Sequence, residues 1–368
     1  MWRILGLLLV FSSWLVLSNL STTADEAMPI NPVFEPSDFA GILYPEDNLT
    51  TAAGLDLGRH LFYDSKLSAD GMVSCASCHR PELAFTDGET LSIGISNRLS
   101  DRNAPGLTNI GYNHFSLFWD GRAPTLEVQA LDPLTDPREM GGHWPDILRY
   151  LKEDGYYSDA FVEAFKLEDE SEITPVLVGQ ALAQFQRSLI SYRSKYDRFL
   201  RGEVEFTDRE KRGWAIFFDK AEEGGEFVGL PTGECAHCHA APHFSNQQFF
   251  NNGIDLAPEL TEFQDLGRGG VTQMVSDNGM FRTPSLRNVS LTAPYMHDGR
   301  FQTLDEVLDH YNKGGEYAPN RSPNVRPLGL SEQDKADLLV FLQTLTDHQF
   351  VDEQVLEARK VGYELEIK

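Results

Sequence analysis

Apolar residues recur at helical intervals through most of this chain, and no block rich in strand signals interrupts them. The stretch "TTAAGLDLGRHLFYDSKLS" (50–68) spaces Leu55, Leu57, Leu61 and Phe62 as a helix would. Amphipathic patterns predict further helices over 144–166 and 174–193, the latter in "PVLVGQALAQFQRSLISY". "SKYDRFLRGE" then marks the passage to a second half, which opens on "TDREKRGWAIFFDK" with Thr207 or Asp208 as the helix N-cap. Loops rich in Gly and Asn cover 251–280, and helices return at 303–312 and 331–345. Both halves follow one plan: a helix, a short cysteine motif, a long loop, another helix.

The first residues stand apart from that pattern. Arg3 precedes an apolar run from Ile4 to about Leu20, followed by small and polar residues, the order of a secretory signal over 1–24. The run is also just long enough for a membrane anchor. Either way the expectation is an exported, periplasmic protein, with domains over 25–195 and 196–368.

A composition of 41% hydrophobic and 24% charged residues fits a globular protein with a sizeable core. The formal charge of −25 excludes a general nucleic-acid binder, which needs a basic face. It favours instead a basic macromolecular partner, drawn by long-range fields.

Exported proteins often spend cysteines on disulfides. This chain has four, all within Cys75-Ala-Ser-Cys78-His79 and Cys235-Ala-His-Cys238-His239, and none is left for a structural bridge. A zinc ribbon would bring its two pairs within about 15–20 residues of each other, far closer than these. A thioredoxin-like pair needs a βαβ context that neither copy has. C-x-x-C-H is the attachment pattern of c-type haem, with both thiols on the porphyrin and the histidine as axial ligand. Two covalently bound haems follow, on His79 and His239. The fold expected is mainly α: two cytochrome c-like haem domains packed side by side.

Several motifs occur in order: "LGRHLFYDSKLS", "SCASCH", "FTDG", "RNAPGLTN", "FWDGRAPTLEVQALDPL", "CAHCH" and "FRTPSLRNVSLTAPYMHDGRFQTLDEVLDHY". Through them the chain, from about residue 50 to 345, resembles the bacterial di-haem cytochrome c peroxidases and their MauG-type relatives. The resemblance implies that the haem on His79 is the peroxidatic one. Ile95 stands where many peroxidases carry a loop histidine that blocks the iron, so the first haem is expected to be open, unless His114 or His143 closes it. Glu139 is implied as the acid–base group, which takes a proton from one peroxide oxygen and returns it to the other. Gln129 would orient the peroxide, Pro133 would limit the space over the same face, and Trp119 would carry electrons between the haems.

For the second haem the resemblance points to Tyr311 as distal ligand, the MauG-like choice, with His310, Met280 and Met274 as other candidates. Met296 aligns with a position often occupied by Phe in relatives. A calcium ion is implied at Asn103 and the carbonyls of Thr292 and Pro294, oxygen donors that suit Ca²⁺. The activity implied is reduction of hydrogen peroxide with electrons from a small redox protein, a cytochrome c or cupredoxin. One alternative is a MauG-like oxidase acting on side chains of a partner protein. Another is a di-haem electron carrier without enzymatic activity. Family members are often dimers, so a homodimer is also expected.

Overall fold

The computed structural model describes residue 33 and residues 35–113, 116–223 and 225–364. The expected signal segment 1–24 lies outside the described residues, as does His114. Among the described residues no helix is long and apolar enough to cross a membrane.

Helices carry the architecture. The first half contributes α1 (Ala52–Tyr63), α2 (Cys75–Cys78), α3 (Leu126–Gln129), α4 (Asp132–Thr135), α5 (Trp144–Glu153), α6 (Gly155–Phe165) and α7 (Pro175–Arg187). The second contributes α8 (Lys195–Leu200), α9 (Asp208–Phe217), α10 (Arg268–Thr272), α11 (Leu304–Lys313), α12 (Glu332–Gln343) and α13 (His348–Lys360). Two strands, β1 (Phe249–Phe250) and β2 (Phe281–Arg282), pair antiparallel with Phe249 opposite Arg282.

Capping residues set the boundaries. Thr51 caps α1, Thr174 caps α7, and Thr207 with Glu210 forms a capping box on α9, as its sequence predicts. The helix expected over 144–166 is two helices. Asp154 ends α5 in an extended conformation, and its carboxylate accepts the backbone N–H groups of Tyr156 and Tyr157 to start α6.

Each half is organised around one tightly crossed helix pair. At Gly58 of α1 an added Cβ would lie 2.0 Å from the carbonyl oxygen of Ala181 on α7. At Gly213 of α9 it would lie 2.0 Å from the carbonyl oxygen of Asp337 on α12. Only glycine lets the two backbones approach so closely. Around α1 and α7 the first core gathers Leu57, Leu61, Phe62, Phe85, Phe161, Leu182 and Phe185. Around α9 and α12 the second gathers Tyr196, Ile216, Phe217, Phe244, Leu338 and Phe341.

The two cores lie within one compact unit, Asn31–Lys368. α13 follows the whole second core in sequence yet buries Phe350 and Val351 in the first. Its N-cap, Asp347, accepts the backbone N–H groups of Tyr192 and Arg193 through Oδ2, and its own N–H donates to Asn288. Beside it Arg287, fully buried, makes two hydrogen bonds of 2.8 and 3.0 Å to Asp197. Buried charge of this kind holds only when paired this completely.

Candidate functional site

Two cavities open beside the two cysteine motifs. The first motif follows α1, and its own short helix α2 carries Cys75 and Cys78 one turn apart. His79 caps that turn, and its Nδ1 hydrogen-bonds to the carbonyl of Phe85 at 2.9 Å. The ring is thus held by one nitrogen, and Nε2 remains for a ligand, the usual arrangement of a metal-binding histidine. Burial lowers the basicity of His79, which favours the neutral imidazole that a metal requires.

The cavity beside it encloses about 790 Å³ and is lined by Cys78, His79, Trp119, Gln129, Pro133 and Glu139. Gln129 ends α3, Pro133 lies in α4, and Glu139 follows in the turn after it. Gln129, Pro133 and Glu139, which the resemblance groups around the first haem, therefore all line this cavity, and Trp119 lines it with them. Glu139 is pushed up to about 7, first by burial and then by the neighbouring carboxylate of Asp136, against the pull of Arg122 and Arg138. Charged side chains fill much of the remaining wall. Arg102 bridges Asp120 at 2.6 Å and Asp265 at 2.8 Å, while Arg138 pairs with Asp136 and Asp101.

Ile95 is not on that wall. It starts a one-turn 3₁₀ helix, and its N–H donates to the carbonyl of Glu139 at 2.8 Å. Its Cδ1 packs beside Gly141. Through these contacts the Ile95 turn packs against the Glu139–Gly141 segment. His143 is exposed and paired with Asp146, away from the cavity. Among the described residues His79 is the one histidine lining this cavity.

The second motif forms a single 3₁₀ turn, Cys235–His237. His239 Nδ1 lies 3.1 Å from the carbonyls of both Phe244 and Pro284, again leaving Nε2 for a ligand. Burial lowers His239 to about 4. Its cavity is smaller, about 250 Å³, and largely apolar, with Phe217, Val289, Val307, Leu308 and Leu338 on its wall.

Tyr311 and Met296 both line the second cavity, and His310, Met280 and Met274 do not. Met274 is exposed, and His310 Nε2 is 3.0 Å from the carbonyl of Asn252. The amide of Asn252 reaches both Tyr311 Oη and Met296 Sδ, at 3.4 Å each. Burial pushes Tyr311 up to about 12, and the Asn252 hydrogen bond works against that rise.

Trp119 and Arg282 line both cavities. Trp119 Nε1 donates to the carbonyl of Asn103 at 2.9 Å, and its own carbonyl accepts the N–H of Arg282 at 2.8 Å. Asn103, Thr292 and Pro294 share the wall of the second cavity. Asn103 Nδ2 donates to the carbonyl of Glu89, which leaves Oδ1 as its free acceptor end. Sequence reasoning missed Asn252 and gave no role to Arg282, although Phe281 and Arg282 open the last of the ordered motifs; tertiary placement brings Asn252 and Arg282 to the cavity walls.

A family model described as di-haem cytochrome c peroxidase matches residues 52–205. The chain is 37% identical over 308 residues to the methylamine utilization protein MauG of Methylorubrum extorquens, covering 82% of this chain and 80% of that one. It is 34% identical over 335 residues to the cytochrome-c peroxidase IdrP1 of Denitromonas iodatirespirans, covering 82% and 84%. The crystal structure of a MauG-like protein associated with microbial copper homeostasis superposes with a TM-score of 0.77 at 36% identity, covering 86% of this chain and 96% of that one.

Proposed function

We propose that this chain, which belongs to the family of di-haem cytochrome c peroxidases and MauG proteins, reduces hydrogen peroxide to water with two electrons from a small redox protein. Membership makes it an oxidoreductase of a family with two haems. Cys75, Cys78 and His79 would hold the first haem covalently, and Cys235, Cys238 and His239 the second. Both donor sets fit, because each histidine is anchored through Nδ1 by a backbone carbonyl beside a cavity. When bound, the haem on His79 would supply the iron for peroxide reduction and the haem on His239 would supply a second redox centre.

The chain's own residues do the rest. Glu139, at about 7, exchanges a proton readily near neutrality, as a group that must both accept and return one should. Gln129 offers an amide donor on the same wall, and Pro133 fills space without adding a competing base. Trp119, bordering both cavities, provides the aromatic bridge between them. Tyr311 would complete the second haem's coordination, and Asn103 with the carbonyls of Thr292 and Pro294 would hold calcium. The two haem-bearing parts would be 25–195 and 196–368, in the periplasm after removal of 1–24. The division is supported by the cores, which draw on 57–189 and 196–345 apart from α13.

The observation that carries the reading is the meeting of His79, Gln129, Pro133 and Glu139 around one cavity. Steady-state turnover with reduced cytochrome c or a cupredoxin and peroxide tests it; negligible turnover with both donors rejects it. Tyr311 on the wall of the second cavity favours a second reading, a MauG-like oxidase acting on side chains of a partner protein. That reading predicts slow donor turnover together with peroxide-dependent oxidation of a protein substrate.

A further inference from the structure

Outside both cavities, Asp219, Glu234 and His237 bring one ligand atom each to within 4.8 Å of one another. Asp219 follows α9, while Glu234 and His237 flank Cys235 in the second motif. We propose that these three side chains form a site for a divalent transition-metal ion of the zinc type. It is separate from the calcium position proposed at Asn103, Thr292 and Pro294.

The hydrogen bonds around the cluster are those of a ligand set with its outer partners already in place. Asp219 Oδ1 accepts the backbone N–H groups of Gly233 and Glu234 at 2.8 and 3.1 Å. Its other oxygen, Oδ2, lies 3.6 Å from His237 Nε2. Glu234 Oε1 is taken by the guanidinium of Arg326 and, at 3.3 Å, by the hydroxyl of Thr232. Its Oε2 lies 3.3 Å from the same Nε2. Each carboxylate is therefore anchored by one oxygen and aims the other at a common point, which is how outer partners orient metal ligands.

The two spacings about Nε2, 3.3 and 3.6 Å, fit an ion. Ligands about 2.0–2.2 Å from a tetrahedral zinc stand roughly 3.3–3.6 Å apart. A single Nε2–H has one proton to donate, whereas two carboxylate oxygens face it. One imidazole with two carboxylates is a donor set that suits zinc and its neighbours. His237 is half exposed, so solvent can deliver the ion and a water can take the fourth position.

Such an ion would tie the end of α9 to the second cysteine motif and so close the loop 220–233. Zinc titration by calorimetry tests the proposal on the haem-loaded protein, stripped with chelator and resupplied with calcium. One zinc per chain is expected. His237→Gln and Asp219→Asn should each weaken binding at least as much as losing an outer partner does, roughly 10- to 100-fold. Asp219→Asn keeps an oxygen for both backbone N–H groups, so the loop should still fold. Zinc should also slow protease cleavage within 220–233 in the parent protein and not in the two variants. Absence of zinc binding, or binding unchanged in both variants, overturns the proposal. The isotherm is read without peroxide, so failure of the peroxidase reading would leave this result standing.

Discussion

The two cysteine motifs sit in the same local frame and open onto different surroundings. In each half a glycine lets one helix press against another, and a histidine anchored at Nδ1 faces a cavity. The first cavity, about 790 Å³, is walled by Glu139, Gln129 and a ring of paired arginines and aspartates. The second, about 250 Å³, is walled by aliphatic and aromatic side chains with Tyr311 and Met296. The shared frame would place a porphyrin alike in both halves. The differing loops set a carboxyl beside one cavity and a tyrosine with a methionine beside the other.

Substitutions can break that contrast. The largest effect is expected at Glu139→Gln, which keeps the shape and removes the base. Peroxide turnover should fall by roughly 10²–10⁴-fold, the usual contribution of general acid–base catalysis, with both haems retained by absorption spectroscopy. An unchanged rate would deny the first cavity its assigned chemistry.

The parent protein's pH profile sharpens the same point. The Glu139 pKa is raised, so the carboxylate that accepts the proton fills in as pH rises through about 7. Turnover measured from pH 5 to 8 should climb, by up to about tenfold per unit below that pKa. In Glu139→Gln this limb should be absent.

The shared frame has its own test. Gly58→Ala and Gly213→Ala each push a methyl against a backbone carbonyl, and overpacking of this kind costs about 1–3 kcal/mol. Chemical denaturation should show comparable losses for both. A harmless change at one position would mean the two halves are not held alike. The smallest overall change is expected from Tyr311→Phe, which removes one oxygen from the second cavity. The resting ferric spectrum should lose or shift one low-spin component and leave the other haem's signal intact. A spectrum identical to the parent's would hand the capping role to Met296.

Much of this was legible in sequence because the signals are local. The C-x-x-C-H pairs, the Thr207 cap and the helical spacing around Leu57 and Leu61 need no tertiary information. The break at Asp154 was hidden because the apolar periodicity runs across it, and only the aspartate's capping bonds show where one helix stops. α13 was missed since its few buried positions, Phe350, Val351 and Ala358, pack against a core far back in the chain. Asp219 gave no hint of its place beside His237, because that histidine occupies a variable position inside the motif. Met296, set aside in sequence, reaches the same cavity as Tyr311, a proximity only the tertiary fold displays.

The course of α13 has a consequence for biogenesis. Phe350 and Val351 complete a core whose other members were translated long before, and Tyr363 reaches back to Glu82 near the first motif. Domains ordinarily fold in the order of their synthesis. Here the earlier half cannot be sealed until the later half has emerged and docked its last helix. The first thiol pair would thus stay reachable until α13 docks, and any group to be joined to it would have to arrive before that step.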